Sequence, residues 1–153
     1  TSECTSPAPN ANSAFCSSTG TNARSFVTTQ DQRTLAIVGT DVVQYYPQPN
    51  VLDLPVTPTI IEAAGSQLAV TGTDLNGRNV TGIVDPATAQ FTTLLSPTSE
   101  IEVYHLRQVP DSNSLMFDGL RFADGRYVIG RIDLGTGATQ LTPAEKLSDF
   151  QVF

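Results

Sequence analysis

The chain repeats itself, and that constrains its fold more than any other feature. Leu35-Ala36-Ile37-Val38-Gly39-Thr40-Asp41 and Leu68-Ala69-Val70-Thr71-Gly72-Thr73-Asp74 differ at two of seven positions, and Leu115-Met116-Phe117-Asp118-Gly119 is a looser third copy. Downstream of the second and third copies the match continues at an offset of 48: Asn76-Gly77-Arg78 with Asp124-Gly125-Arg126, Val80 with Val128, Gly82 with Gly130, Asp85 with Asp133 and Thr88 with Thr136. The first copy is abbreviated. Its Val51-Leu52-Asp53-Leu54 parallels Arg131-Ile132-Asp133-Leu134, and Asp31 precedes Leu35 by the spacing that separates Asp111 from Leu115.

From Ser25 onward the apolar residues do not recur at helical spacing. Short runs rich in Val, Ile, Thr, Phe and Tyr alternate with turn signals, an all-β pattern of antiparallel strands. Asn76-Gly77 and Asp124-Gly125 predict type I′ hairpins, which need positive φ at both central residues, and Asp85-Pro86-Ala87-Thr88 and Pro110-Asp111-Ser112-Asn113 supply further tight turns. Pro143-Leu147 is too short for more than a helical turn, and Asp149-Phe150-Gln151-Val152-Phe153 alternates as a closing strand would. Each copy thus reads as four strands joined by turns, the unit of a propeller blade of about 40–50 residues.

The segment Asp124-Gly125-Arg126-Tyr127-Val128-Ile129-Gly130-Arg131-Ile132-Asp133-Leu134-Gly135-Thr136-Gly137-Ala138-Thr139-Gln140-Leu141-Thr142 resembles the second half of a blade in the TolB-like and related β-propellers. There an Asp-Gly turn leads to a strand ending near Asp, then a Thr-Gly hairpin and a last strand closing on Leu-Thr. The resemblance implies a fold and no activity, since propellers host unrelated functions. The expected organisation is an N-terminal arm over residues 1–24 and a β-repeat domain over 25–153, with copies at about 25–57, 58–97 and 98–142 and a closing strand at 143–153. About three blades leave two open flanks, whereas closed propellers have four to eight. The chain is then a piece of a longer propeller, a subunit that assembles with copies of itself (two chains making six blades, for example), or a sequence whose strands repack as a sandwich or small barrel.

Eight basic residues against 15 acidic ones give a net charge of −7, which leaves no basic field for a nucleic acid or an anionic membrane surface. No apolar run approaches the roughly 20 residues of a spanning helix, and Thr1-Ser2-Glu3-Cys4 does not open a leader; a secreted chain of this kind is expected to be already processed. Twenty Thr, 12 Ser and a single Lys suit an extended, hydroxyl-rich exterior of the extracellular or cell-surface type. The arm is Pro-, Ser- and Asn-rich and too polar for a core of its own. Its Cys4 and Cys16 are the only cysteines and have no histidine nearby, so they read as a disulfide rather than a metal or redox centre. Phe15, its one large apolar side chain, is the expected anchor on a neighbouring subunit.

Catalytic signatures are wanting. His105 is the only histidine; simple alternation places it on one strand face with Ile101 and Val103, and Glu100, Glu102 and Tyr104 on the other. It reads as a packed or edge histidine, and without a Gly-x-Ser-x-Gly elbow no Ser/His/Asp triad is expected. Glu100 and Glu102 have the positions for an acid pair or an oxygen site, but read as a solvated strand face. Asp41, Asp74 and Asp118 recur at one strand end, and Asp53, Asp85 and Asp133 before one hairpin, which fits Asx-turns better than chemistry. No catalytic residue, metal site or cofactor is assigned. Tyr45-Tyr46-Pro47-Gln48-Pro49-Asn50 replaces an ordinary hairpin, and its two tyrosines are the expected partner contacts on a rigid scaffold. Asn79-Val80-Thr81 is a possible glycosylation sequon.

Together these features predict a secreted, non-enzymatic β-repeat protein for binding or assembly: a structural subunit of an extracellular array or filament, or an adhesion module. A fragment of an extracellular propeller enzyme or sugar-binding protein is the alternative. A bonded Cys4–Cys16 pair predicts that intact mass after alkylation is unchanged without reductant and gains two labels with it; ready alkylation of both thiols in the unreduced chain contradicts the pairing and removes the main support for an oxidising compartment.

Overall fold

The computed structural model describes residues 23–95 and 101–144. Cys4, Phe15, Cys16, Glu100 and the expected closing strand at 149–153 lie outside them. Among the described residues, twelve strands form three four-stranded antiparallel meanders. The first sheet holds β1 (Ala23–Thr28), β2 (Thr34–Val38), β3 (Asp41–Tyr46) and β4 (Asn50–Leu52). The second holds β5 (Thr57–Ala64), β6 (Gln67–Thr73), β7 (Asn79–Asp85) and β8 (Gln90–Leu95). The third holds β9 (Ile101–Gln108), β10 (Ser114–Arg121), β11 (Arg126–Asp133) and β12 (Thr139–Ala144). In each sheet sequential strands are neighbours and no strand is shared between sheets, so the units are separate, blade-like sheets rather than a barrel. The first strands, β1, β5 and β9, lie side by side and form the inner edge.

Two apolar layers hold the sheets together. Leu35, Ile37, Val42 and Leu52 of the first sheet meet Ile61, Leu68, Val70, Val80 and Val84 of the second. On the other face of the second sheet, Ala64, Ala69, Ile83 and Leu95 meet Ile101, Val103, Leu106, Leu115, Phe117, Val128 and Ile132 of the third. Each fully buried Val, Leu, Ile or Phe contributes roughly 1.5–3 kcal/mol. Because the middle sheet is covered on both faces, β6 reads as a continuous apolar run rather than an alternating one.

The second and third sheets share a backbone device. In β5, Thr59 is an extra residue between Pro58↔Gly72 and Ile60↔Thr71; in β9, Tyr104 is extra between Val103↔Gly119 and His105↔Asp118. A Cβ at Gly72 would strike the Thr57 carbonyl, and one at Gly119 the Glu102 carbonyl, so glycine is what lets the strand approach each β-bulge. Gly82 and Gly130 are equivalent in a second way: each lies under an aromatic ring, Phe91 and Phe117 respectively.

Several sequence expectations need correction. The Asn76-Gly77 and Asp124-Gly125 hairpins are not type I′, because only the glycines take positive φ (76° and 67°). Gly77 N–H donates to the Asp74 carbonyl at 3.0 Å, whereas Gly125 N–H donates to Arg121 at 2.9 Å, a loop longer by one residue. That extra residue explains why the strand match before the loop runs at an offset of 47 and after it at 48. The first copy is also not a simple repeat. Leu35 and Ile37 face the second sheet, while the matching Leu68 and Val70 face the first and Leu115 and Phe117 face the second, so strand alternation is reversed in copy one. Val51 and Leu52 lie in the fourth strand, not the third like Arg131 and Ile132; the two-residue turn at Gly39-Thr40 shortens the sheet.

Asx-turns do occur where the aspartates recur. Asp74 Oδ1 accepts from Asn76 and Arg78 N–H at 2.8 and 2.9 Å. Asp85 Oδ1 accepts from Ala87 N–H at 2.9 Å, and Asp133 Oδ1 from Gly135 and Thr136 N–H at 2.8 and 3.0 Å. The backbone donors at Thr136 and Gly135 hold Asp133 below the usual carboxylate range. Asp41 and Asp53 of the first sheet make no such bond among the described residues, and Asp118 differs again: it sits inside β10, 2% exposed, and turns nothing.

Gly130 tests the ring contact. Gly130→Ala should destabilise the chain by about 1–3 kcal/mol in urea unfolding, and the loss should shrink when Phe117→Leu is combined with it; two losses that simply add would show that the ring is not what fills the space above Gly130.

Candidate functional site

The three inner strands end in turns that converge on one cleft of about 650 Å³, lined by Thr28, Thr29 and Gln30, by Ala63 and Gly65, and by Gln108 and Pro110–Asn113. Its rim is tied together across sheets. Gln30 N–H donates to the Gly65 carbonyl at 2.8 Å, Gly65 N–H to Gln108 Oε1 at 3.3 Å, and Gln108 Nε2 to the Ser112 carbonyl at 3.4 Å. The lining is mostly neutral hydrogen-bonding groups with one carboxylate, Asp111.

Further along the same strands lies a second hollow of about 380 Å³ between Ser25–Val27, Ile60–Glu62 and Tyr104–Arg107. Glu62 Oε2 and Arg107 Nε are 3.8 Å apart across it. Burial pushes Glu62 above the usual carboxylate range, against the opposing pull of the Ala63 N–H and of Arg107. Burial, followed by the neighbouring Glu102 carboxylate, likewise raises the Tyr104 phenol; its hydroxyl donates to Glu102 at 3.4 Å.

His105 is the point where alternation misleads. The bulge at Tyr104 resets the strand, so Leu106 goes into the core while Tyr104 and His105 turn away from it, and His105 does not share the face of Ile101 and Val103. Its Nδ1 lies 2.7 Å from Asp118 Oδ1, with the imidazole 59% exposed and the carboxyl 2% exposed. Asp118 Oδ2 is buried and has no partner among the described residues. In the second sheet the equivalent of Asp118 is Thr71, whose hydroxyl bonds Thr81 inside the sheet; Asp118 reaches the other way, to β9. Reading by composition missed this pair. The signal available was an aspartate between Phe117 and Gly119, at a position that is threonine in the stronger copy.

The expected partner contacts Tyr45 and Tyr46 lie on the first sheet, at the end of β3. Tyr45 is half-buried with its ring 6.0 Å from Phe26, and Tyr46 is 58% exposed at a cis bond to Pro47. Their loop is anchored by Gln44, which accepts from Arg33 at 3.0 Å and donates to the Gln48 carbonyl at 2.9 Å. Arg33 in turn donates to Asp31 at 3.1 Å, and the Thr29 hydroxyl, followed by Arg33, holds Asp31 below the usual carboxylate range. Asn79 opens β7 half-buried, and the sequon's Thr81 is 2% exposed. Glu102 is half-buried on β9. Among the described residues no three His, Cys, Asp or Glu side chains gather as a metal site.

No protein-family model matches the chain, and no curated protein sequence does. Among solved structures it is similar to a TolB-type protein from Agrobacterium tumefaciens, at 17% identity with a TM-score of 0.60, over 82% of this chain and 47% of that one. The chain therefore spans less than half the length of that structure. The likeness supports the β-propeller fold of the three sheets and extends no further.

The pair predicts its own energetics. His105→Ala should cost about 1–3 kcal/mol by leaving the Asp118 carboxyl buried without that donor, and adding Asp118→Ala should restore part of the loss. Equal stability of His105→Ala and wild type in urea melts would show that the contact carries nothing.

Proposed function

We propose that the chain works outside the cell as a non-enzymatic, propeller-type module for binding and assembly. The observation that supports this reading is the unequal covering of its sheets. The middle sheet is packed on both faces, whereas no described sheet packs against the far side of the third. That side carries Met116, Leu120, Tyr127 and Ile129, all only half-buried. A blade face of this kind gains stability when another sheet covers it. The hydroxyl-rich composition and the Cys4 and Cys16 pair of the arm support the extracellular setting, and Phe15, Tyr45 and Tyr46 remain proposed contacts with a neighbour.

The alternative, a part of an extracellular propeller enzyme or sugar-binding protein, is favoured by the polar cleft at the inner strand ends. Sedimentation of the 153-residue chain separates the two. Assembly predicts masses that are multiples of 16.3 kDa; a strict monomer up to about 100 μM, well above the Kd of a weak association, together with measurable binding of a neutral oligosaccharide would reverse the order of the readings.

A further inference from the structure

We infer that the outer face of the third sheet is the contact surface for a second copy of this chain, and that the arginine row of each copy lies over the Asp118 row of the other. The inference rests on the assembly reading above and adds the face, the partner and the matching of charged rows.

The internal repeat says that this face is one that gets covered. Ala69, Thr71, Thr81 and Ile83 point from the second sheet toward the third; their equivalents are Met116, Asp118, Ile129 and Arg131, on the outer side of the third. The register orders that side in rows. Arg107, Met116 and Arg131 lie across one row, His105, Asp118 and Ile129 across the next, and Glu102, Leu120 and Tyr127 across a third. Within this lattice Asp118 is 2% exposed with Oδ2 unpartnered among the described residues. A carboxyl oxygen buried on this side of the sheet has no donor among the described residues, which makes the Asp118 row the place where added positive charge stabilises most.

Charge identifies the occupant. The chain as a whole carries −7, so two copies repel each other over most of their surfaces. This face is different: Arg107 and Arg131 balance Asp118 and Glu102. Arg131 is exposed, and Arg107, 68% exposed, makes a loose 3.8 Å contact with Glu62. A twofold axis running across the strands between the Met116 and Asp118 rows lays the arginine row of each copy over the Asp118 row of the other. It also buries Met116, Ile129 and their neighbours between the two sheets. Three strands of eight residues and one of six cover about 480 Å² per copy at about 3.3 Å per residue and 4.8 Å per strand, near the lower limit of specific interfaces. The dimer is accordingly a weak one, in rapid exchange at micromolar concentration.

The test is sedimentation equilibrium of the full chain and three variants, each checked for folding by circular dichroism. Arg131→Glu sets a carboxylate against the partner's Asp118 and should weaken the dimer at least tenfold. Thr142→Arg, which places bulk beside Ile129 on the neighbouring strand, should do the same if Arg131→Glu does not fold. Arg78→Glu, on a hairpin of the second sheet, should leave the dimer unchanged. An oligomer that neither Arg131→Glu nor Thr142→Arg weakens overturns this face while leaving assembly in place; a wild-type monomer at every concentration overturns both.

Discussion

A sheet that is apolar on both sides has to be covered on both sides, and the middle sheet of this protein is such a sheet. Leu68, Val70, Val80 and Val84 face one neighbour, and Ala69, Ile83 and Leu95 face the other. No choice of register exposes a polar face, so the second sheet exists only as the centre of a stack. The first and third sheets present their apolar sides to it. The repeat, the three-sheet architecture and the presence of outward faces of a different character all follow from that demand. Where stacking stops, composition changes: the outer side of the third sheet mixes Met116, Leu120 and Ile129 with Arg107, Arg131 and Glu102.

Glycine sets how closely the strands approach within the stack. Gly72 and Gly119 sit where a bulged neighbour comes too near for any Cβ, and Gly82 and Gly130 leave room for a ring. The bulge beside Gly119 has a chemical effect as well as a geometric one. By inserting Tyr104 it turns His105 out of the core and onto Asp118, so a device present in both sheets yields an imidazole–carboxylate pair in only one. The second sheet, with Thr71 in place of the aspartate, closes the equivalent position internally.

These differences also explain what could be read in advance. The periodic match between residues 68–95 and 115–142, with Asp85 and Asp133 before matching hairpins, reveals two equivalent four-stranded units, because turn chemistry and strand length are local properties. The facing of His105 was not legible, since alternation counts residues and a bulge adds one without a marker in its own strand; the marker is the glycine opposite. The first copy misled for a related reason. Five identical residues in seven show common chemistry, but facing depends on the pairing of β1 and on the short Gly39-Thr40 turn, which alignment of letters does not register. Tyr45 and Tyr46 were visible as an unusual loop, while their anchoring through Gln44, Arg33 and Asp31 requires three segments to meet in space.

The two hairpins that differ by one residue have a bearing on how such a protein changes over time. Leu75, 99% exposed, and Phe122, 50% exposed, sit at their tips, and the strands on either side keep the same pairing although the connections differ in length. Length and tip chemistry at this end are therefore variables that selection can alter one blade at a time, with no compensating change in the packed layers. Such loops are acceptors for grafted sequence, and a protein built this way can acquire a new specificity through a tip long before its framework registers any substitution.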